Sequence, residues 1–189
     1  MNKVKPFIER ALLFLFKFSF LKSILSEQQL AITIKRLAHQ VIENHADLEN
    51  TVIIGLQPRG VFLSDKIVEE IKTEMPDAKI LYGKLDITFY RDDIRKELHI
   101  ANRTDIPFSI EGRKVVLIDD VLYTGRTIRA ALDALLDFGR PEKVELCVLI
   151  DRRFSRQLPI QPDYVGKSID SIVSQKVKVE WNKKEVVLY

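Results

Sequence analysis

Cysteine, histidine and tryptophan are scarce in this sequence of 189 residues. The single cysteine, Cys147, excludes a disulfide framework and any cysteine-based zinc site. The three histidines, His39, His45 and His99, do not have the spacing of a metal-ligand motif. A hydrophobic fraction of 46% and a charged fraction of 30% exclude a disordered or collagen-like chain. Nothing in this composition favours secretion, so we expect a cytoplasmic protein.

The sequence also has no apolar run long enough to cross a bilayer, which requires about 20 residues. The run at residues 11–21 is too short and is interrupted by Lys17. Four apolar residues near it fall on one helical stripe: Phe7, Phe14, Phe18 and Leu21. Contact of residues 7–21 with a membrane surface is therefore one interpretation, and packing into the fold is another. We favour a third, in which residues 1–22 are an extension outside the domain, explained by a start codon assigned too far upstream, and residues 23–189 form the domain.

Positive charge is concentrated at the amino terminus. Residues 1–22 carry five basic residues against one acid, a net charge of +4, whereas the whole chain carries +3. The remaining residues therefore carry −1. A nearly neutral body does not indicate nucleic-acid binding, so such a role would need a local basic patch.

The periodicity of apolar residues predicts strands that alternate with helices. Helices are expected over residues 27–43, 61–75 and 127–138, and buried strands over 52–56, within 79–88, over 114–118 and over 143–150. Residues 177–181 and 185–188 are typical of a terminal hairpin. The polar stretch 90–113 is too long for an ordinary loop and is expected to be a lid or an arm. This order indicates a parallel sheet with helices on both faces.

One segment combines the end of a strand, two carboxylates and a loop that opens a helix. Its residues are Val115, Val116, Leu117, Ile118, Asp119, Asp120, Val121, Leu122, Tyr123, Thr124, Gly125, Arg126 and Thr127. Ligands of open α/β sheets bind outside the carboxyl ends of the strands, where this segment would lie. Loop amides at the start of a helix bind anions, and two threonine hydroxyls add donors. Because Asp119 and Asp120 would repel a bare phosphate but suit sugar hydroxyls or a bound cation, the combination indicates a phosphosugar ligand.

This string resembles the motif with which type I phosphoribosyltransferases bind 5-phosphoribosyl-1-diphosphate. The resemblance implies an α/β fold with a central parallel sheet, helices on both faces, a small hood and a flexible lid loop. It also implies that Asp119 and Asp120 hold the ribose hydroxyls and that the loop from Tyr123 to Thr127 holds the 5′-phosphate. Magnesium would accompany the diphosphate, with the two acids in a supporting role only.

A second segment, which follows the first predicted strand, lies where that family has its diphosphate loop. Its residues Pro58, Arg59 and Gly60 would neutralise the departing diphosphate, and the alternative is an ordinary strand-to-helix turn. Catalysis is thus expected to depend on Arg59 together with the two acids. In the same family a lid excludes water from the reacting sugar, which gives the stretch 90–113 a role. The hinge and contact residues at the base of this lid would be Tyr90, Arg91, Asp92 and Asp93.

Position 123 distinguishes members of this fold, because purine-salvage members carry an acid there whereas this chain has Tyr123. Together with residues 86–93 and the later segment Leu158-Pro159-Ile160, the motif is similar to the PyrR family of bifunctional pyrimidine-operon regulators and uracil phosphoribosyltransferases. The similarity spans about residues 26–181. It implies the conversion of uracil and 5-phosphoribosyl-1-diphosphate to UMP and diphosphate. The base would contact three residues, Tyr164, Val165 and Arg152, with core packing as the alternative for the first two.

The same resemblance implies RNA binding, because members of the family act as dimers on pyrimidine leader mRNA with UMP or UTP as corepressor. A homodimer or higher homo-oligomer is therefore expected. The candidate RNA contacts are basic residues of the first helix and of the stretch after the fourth strand: Lys35, Arg36, His39, Arg153 and Arg156. Solvated surface charge is the alternative for these residues. Two other functions stay open, a salvage enzyme without an RNA role and a nucleotide-sensing regulator with little catalysis.

Overall fold

The computed structural model describes residues 22–46, 48–91, 102–172 and 174–189. The strands are β1 (Lys22–Leu25), β2 (Thr51–Leu56), β3 (Leu81–Leu85), β4 (Lys114–Leu122), β5 (Lys143–Arg152), β6 (Tyr164–Ile169), β7 (Val177–Glu180) and β8 (Glu185–Leu188). The α-helices are α1 (Glu27–His45), α2 (Gly60–Glu74) and α3 (Arg126–Leu135). Single 3₁₀ turns follow at Thr88–Tyr90, Leu136–Phe138 and Arg153–Ser155. Among these residues, no helix combines the length and the apolar character that a membrane crossing requires.

The chain forms two units, one from residues 31–172 and a smaller one from its two ends. The larger unit contains a parallel five-stranded sheet in the order β3-β2-β4-β5-β6. The smaller unit contains an antiparallel sheet in the order β1-β8-β7. The predicted parallel α/β fold and the terminal hairpin are both confirmed.

The strand order of the larger sheet creates a switch point between β2 and β4. From β2 the chain continues outward to β3 at one edge, and it then returns to place β4 on the other side of β2. The register aligns Gly55 of β2 with Ile118 of β4, so the carboxyl ends of the two strands lie side by side. In open α/β sheets, ligands bind in the crevice at such a point.

Helix α3 covers one face of this sheet with small and branched side chains. Ile128, Ala131, Ala134 and Leu135 recur at helical spacing and are buried in the same core cluster as Leu117 of β4. Alanines let the helix backbone approach the sheet closely. The loop that precedes α3 is therefore attached to a rigid strand on one side and a packed helix on the other.

Three features of the fold differ from the sequence predictions. Strand β4 continues to Leu122 instead of ending at Ile118, so the acid pair lies inside the strand. Strand β6 was missed because its edge position leaves most of its side chains only partly buried, which removes the apolar run typical of central strands. Strand β1 was also missed, and since Lys22 pairs with Leu188 in it, the expected domain boundary after residue 22 falls within a strand.

Part of the stretch 90–113 that was predicted as a lid or an arm, residues 102–113, packs against the sheet. Asp105 forms an antiparallel bridge with Lys84 of β3, and each residue of this pair donates its amide to the other's carbonyl at 2.8 Å. Ile110 is completely buried in the core. Residues 102–113 thus belong to the packed domain, because their apolar side chains cover the sheet although they have no helical or strand period.

Candidate active site

The acid pair lies near the carboxyl end of the central strand β4. Asp119 and Asp120 are only 7% and 6% exposed, and the amide of Asp120 donates to Oδ1 of Asp119 at 2.9 Å. Burial raises the pKa of Asp119 well above its usual range, and the neighbouring Asp120 charge raises it further. Burial also raises the pKa of Asp120. Ionising two buried carboxyls costs free energy. Hydroxyl donors or a cation that bind to them offset this cost, so the pair favours such ligands.

The diphosphate loop and the acid pair meet at the switch point. Arg59 lies at the start of α2, and its positive charge lowers the pKa of both carboxyls, in opposition to burial. A Cβ atom on Gly60 would lie 2.5 Å from the carbonyl oxygen of Ile118 and 3.0 Å from Cα of Asp119. Only glycine therefore lets α2 begin this close to the acid pair.

A cavity of about 400 Å³ opens beside this pair. It is lined by Arg91, Asp119, Val121, Leu122, Tyr123, Thr124, Gly125, Arg126, Thr127, Ile128 and Gln157. Gly125 has φ 91°, a left-handed conformation that turns the chain sharply into α3. The cavity thus joins a carboxylate end to a loop of amides and hydroxyls at a helix amino terminus, which is an arrangement that binds anions.

The side chains of Tyr123, the first residue of the loop, and of Arg152 pack against each other, and we call this pair the platform. The Arg152 guanidinium lies 4.0 Å from the centre of the Tyr123 ring, within the range of a cation–π contact. Arg152 is buried, and its Nε donates to Oγ of Ser171 at 2.8 Å. The aromatic ring and the guanidinium are therefore held together as one rigid surface.

This chain resembles a known domain family and, more closely, individual members of one group of proteins. The phosphoribosyl transferase domain family matches residues 21–184. The "Bifunctional protein PyrR" of a Picosynechococcus species is 48% identical over 157 residues, which cover 82% of this chain and 88% of that protein. The protein of the same name from Bacillus subtilis is 42% identical over 161 residues, covering 83% of this chain and 88% of that protein.

The chain belongs to the PyrR family of phosphoribosyltransferases. Solved structures of more distant proteins share the fold. A hypoxanthine phosphoribosyltransferase of Staphylococcus aureus is similar with a TM-score of 0.68 and 21% identity, covering 87% of this chain and 90% of that one. The enzyme of the same activity from Trypanosoma cruzi also has a TM-score of 0.68, at 17% identity, covering 88% and 95% of the two chains.

The donor set fits the supporting metal role expected from the PyrR resemblance. In the part of the chain that the structure describes, no three His, Cys, Asp or Glu side chains are grouped to hold a metal ion. Asp119 lines the cavity, and with the adjacent buried Asp120 it can still provide one or two oxygen ligands for Mg²⁺. The remaining ligands would have to be substrate and water oxygens, which is usual for a magnesium ion that accompanies a diphosphate.

Of the predicted lid residues, Tyr90 and Arg91 are described, whereas Asp92 and Asp93 lie outside the described residues. The Tyr90 hydroxyl donates to Oδ2 of Asp137, which fastens this residue to the end of α3. Arg91 lines the cavity. Tyr90 is therefore anchored to the segment after α3, whereas Arg91 places a positive charge at the cavity.

The surroundings of Tyr164 favour core packing, the alternative that the sequence left open for it. Its ring is buried at the start of β6, and its hydroxyl donates to Oε2 of Glu145 at 2.6 Å. The same Glu145 oxygen is 2.7 Å from Nε2 of the buried His45. These contacts are those of a core residue, and the base contact stays a prediction. Val165 follows it in β6, and its carbonyl accepts a hydrogen bond from Nη2 of Arg36 at 3.2 Å.

The predicted RNA residues fall into two groups. Arg36 is exposed and donates to the carbonyls of Val165 and Gly166 in β6, whereas Arg156 is partly buried and donates to the carbonyls of Leu122 and Tyr123. RNA contact by these two residues stays a prediction. The others are basic residues at the surface, each close to an acidic side chain: Lys35 and His39 beside Glu74, and Arg153 beside Asp170.

Sequence reasoning missed Gln157. Its backbone amide donates to the carbonyl of Thr124 at 3.0 Å, and its side-chain Oε1 accepts from Nε of Arg126 at 2.8 Å. The segment that follows it, Leu158-Pro159-Ile160, was among those that carry the family resemblance, and this was the available signal. No periodicity could reveal that this segment folds back on the phosphate loop.

Proposed function

We propose that this protein transfers the 5-phosphoribosyl group of 5-phosphoribosyl-1-diphosphate to N1 of uracil, forming UMP and releasing diphosphate. The observation that supports the proposal is that Asp119, one of the two adjacent buried acids, lines the same cavity as the anion-binding loop at the switch point. Membership of the PyrR family supports uracil as the acceptor. Tyr123, in the position where purine-salvage members have an acid, supports it too.

The residues have separate tasks in this reaction. Asp119 and Asp120 accept hydrogen bonds from the ribose hydroxyls, and the amides and hydroxyls of the loop from Tyr123 to Thr127 bind the 5′-phosphate. As the bond from C1′ to diphosphate breaks, positive charge develops on the sugar, and the nearby carboxylates stabilise it. Arg59 neutralises the leaving diphosphate, and Arg91 adds charge from the base of the lid.

Magnesium, when bound, neutralises the diphosphate so that it departs more readily. The acid pair would contribute the protein's share of its ligands. Because uracil is a weak nucleophile while its N1 proton is bound, and none of the described side chains lining the cavity is an evident base, positioning and electrostatic stabilisation carry most of the catalysis. The platform of Tyr123 and Arg152 would bind the pyrimidine ring by stacking.

We further propose that the protein regulates pyrimidine operon expression by binding leader mRNA in the cytoplasm, as a homo-oligomer and with UMP or UTP as corepressor. The PyrR relatives are named bifunctional, which supports a second activity. The candidate phosphate contacts are the basic surface residues Lys35, His39 and Arg153. Exposed ion pairs contribute only about 0–1 kcal/mol, so RNA phosphates can replace their acidic partners at little cost.

The catalytic proposal is tested by following diphosphate release from 5-phosphoribosyl-1-diphosphate. Release should require both uracil and magnesium, and UMP should form in equal amount. Diphosphate release that is independent of any added base would show hydrolysis instead of transfer and would contradict the proposal.

The regulatory proposal is tested by filter binding to the organism's own pyrimidine leader RNA in the presence of UMP. Replacing Lys35, His39 and Arg153 together with alanine should weaken binding and reduce the salt dependence by about one unit of slope for each lost phosphate contact. Uracil turnover should not change. If the wild-type protein binds the leader RNA no more tightly than a scrambled RNA, the regulatory proposal is contradicted. The protein would then be a salvage enzyme without an RNA role.

A further inference from the structure

A short segment after β5 lies behind the phosphate loop and contacts its carbonyl groups. We call residues 156–158 the strap. Nη1 of Arg156 donates to the carbonyl of Tyr123 at 2.5 Å and to that of Leu122 at 3.2 Å. The backbone amides of Gln157 and Leu158 donate to the carbonyl of Thr124 at 3.0 and 3.3 Å. The carbonyls of three successive residues, from Leu122 at the end of β4 to Thr124 in the loop, thus accept hydrogen bonds from the strap.

Holding these carbonyls fixes the direction of the loop amides. A trans peptide unit is planar, and its C=O and the following N–H point in opposite directions. When the carbonyls of Leu122, Tyr123 and Thr124 face the strap, the amides of Tyr123, Thr124 and Gly125 face away from it. Those are the amides that the proposed function assigns to the 5′-phosphate.

Arg156 is built into the protein and is not itself a ligand of the phosphate. Its side chain is only 19% exposed, and its guanidinium forms an ion pair with Asp151, which is 10% exposed. Nε donates to the carbonyl of Ile160 at 3.0 Å, and Nη1 also approaches the carbonyl of Arg152 at 3.2 Å. A planar guanidinium presents five N–H donors in a fixed fork, whereas a lysine ammonium has three donors clustered on one atom and cannot reach acceptors spread this widely.

We infer that Arg156 is a positioning residue that orients the phosphate loop, and that this loop therefore recognises the 5′-phosphate only while the strap is in place. The inference rests on the proposed function and goes beyond it, since it assigns phosphate recognition to a residue that does not touch phosphate. It also gives Arg156 a role different from the candidate RNA contact that the sequence analysis named. Because substrate and product share the 5′-phosphate, affinity for both depends on the strap.

The test compares the affinities of the full-length protein for UMP and for uridine, which differ only in the phosphate. In Arg156→Gln, UMP binding should weaken at least about tenfold while uridine binding stays nearly constant, so that the ratio of the two affinities falls. The KM for 5-phosphoribosyl-1-diphosphate should rise by a similar factor and the KM for uracil should not change. A purely structural defect would reduce the amount of active protein without changing this ratio.

Two further variants complete the experiment. Arg156→Lys keeps the ion pair with Asp151, and hence the fold, but cannot bridge the carbonyls, so its ratio should also fall; this variant carries the test if Arg156→Gln does not fold. Arg129→Gln is the control, because Arg129 is an exposed arginine of α3 that lies 3.9 Å from Asp133. An unchanged ratio in a folded Arg156 variant of an active enzyme overturns the positioning role, whereas a wild type that makes no UMP overturns the proposed function instead.

Discussion

Replacing Gly60 with alanine should disturb the geometry of the site more than it lowers the stability of the domain. The added Cβ would lie 2.5 Å from the carbonyl oxygen of Ile118, although Cβ contacts below 3.0 Å are essentially never found. The start of α2 must therefore move by about 0.5 Å or more relative to β4, and overpacking of this kind costs about 1–3 kcal/mol. For a chain of this size, Tm should fall by about 2–12 °C.

The same shift displaces Arg59 and the backbone of Asp119, so activity should fall by more than the loss of stability explains. A misplacement approaching 1 Å can reduce turnover about 100-fold, and we expect a loss of about 10- to 100-fold in kcat/KM per folded molecule. Gly112→Ala is the matched control, because Gly112 has φ 65° and open space around it. The forced left-handed conformation should cost about 1–2 kcal/mol without affecting kcat/KM. Equal kcat/KM in both variants would refute the reasoning.

Three further predictions concern other parts of the protein. Asp120→Asn should lower kcat/KM at least about 100-fold yet raise Tm at pH 7 in thermal melts, because a carboxyl whose pKa is raised by burial destabilises the fold when ionised; a lower Tm would contradict this. Tyr164→Phe should cost about 1–3 kcal/mol in urea unfolding, without changing the KM for uracil; a raised KM would return Tyr164 to the site. Deleting residues 1–21 should leave Tm within about 2 °C and activity intact, whereas deleting residues 1–25, which removes β1, should lower Tm.

The buried pair of Glu145 and His45 adds a pH dependence to the Tyr164 prediction. Burial alone would raise the pKa of Glu145, but hydrogen bonds from Lys143, Tyr164 and His45 outweigh it and lower that pKa to about 2. The resulting stability is present above the unfolded pKa of about 4.3 and is lost as the pH falls towards 2. Tyr164→Phe should therefore reduce the loss of stability between pH 5 and pH 2, as measured by urea unfolding at each pH.

The sequence predicted the parts of the site that lie along one continuous segment. The apolar run of β4, its two acids and the glycine before α3 are neighbours in the chain, so their order alone indicated a phosphosugar site. The diphosphate loop could be placed for the same reason, because it directly follows β2. Local order is sufficient wherever a single strand and its following loop carry the chemistry.

The contacts made across the fold could not be predicted in this way. Arg156 looked like one more surface charge, since nothing in its neighbourhood shows that the chain folds back to place it behind Tyr123. In the sequence, Tyr164 suits a base site and the core equally well. In the structure, its hydroxyl contacts Glu145 and His45, and these long-range contacts favour the core. Long-range hydrogen bonds leave no period in the sequence, so these two roles required the structure.

The most direct test of the account is a competition between bases for limiting 5-phosphoribosyl-1-diphosphate. Equal concentrations of uracil and hypoxanthine would be supplied with magnesium, and the nucleotide products separated and quantified. We expect UMP to be the dominant product, because Tyr123 replaces the acid that purine acceptors require and stacks with Arg152. Inosine monophosphate in excess of UMP would contradict the assignment of this site to uracil.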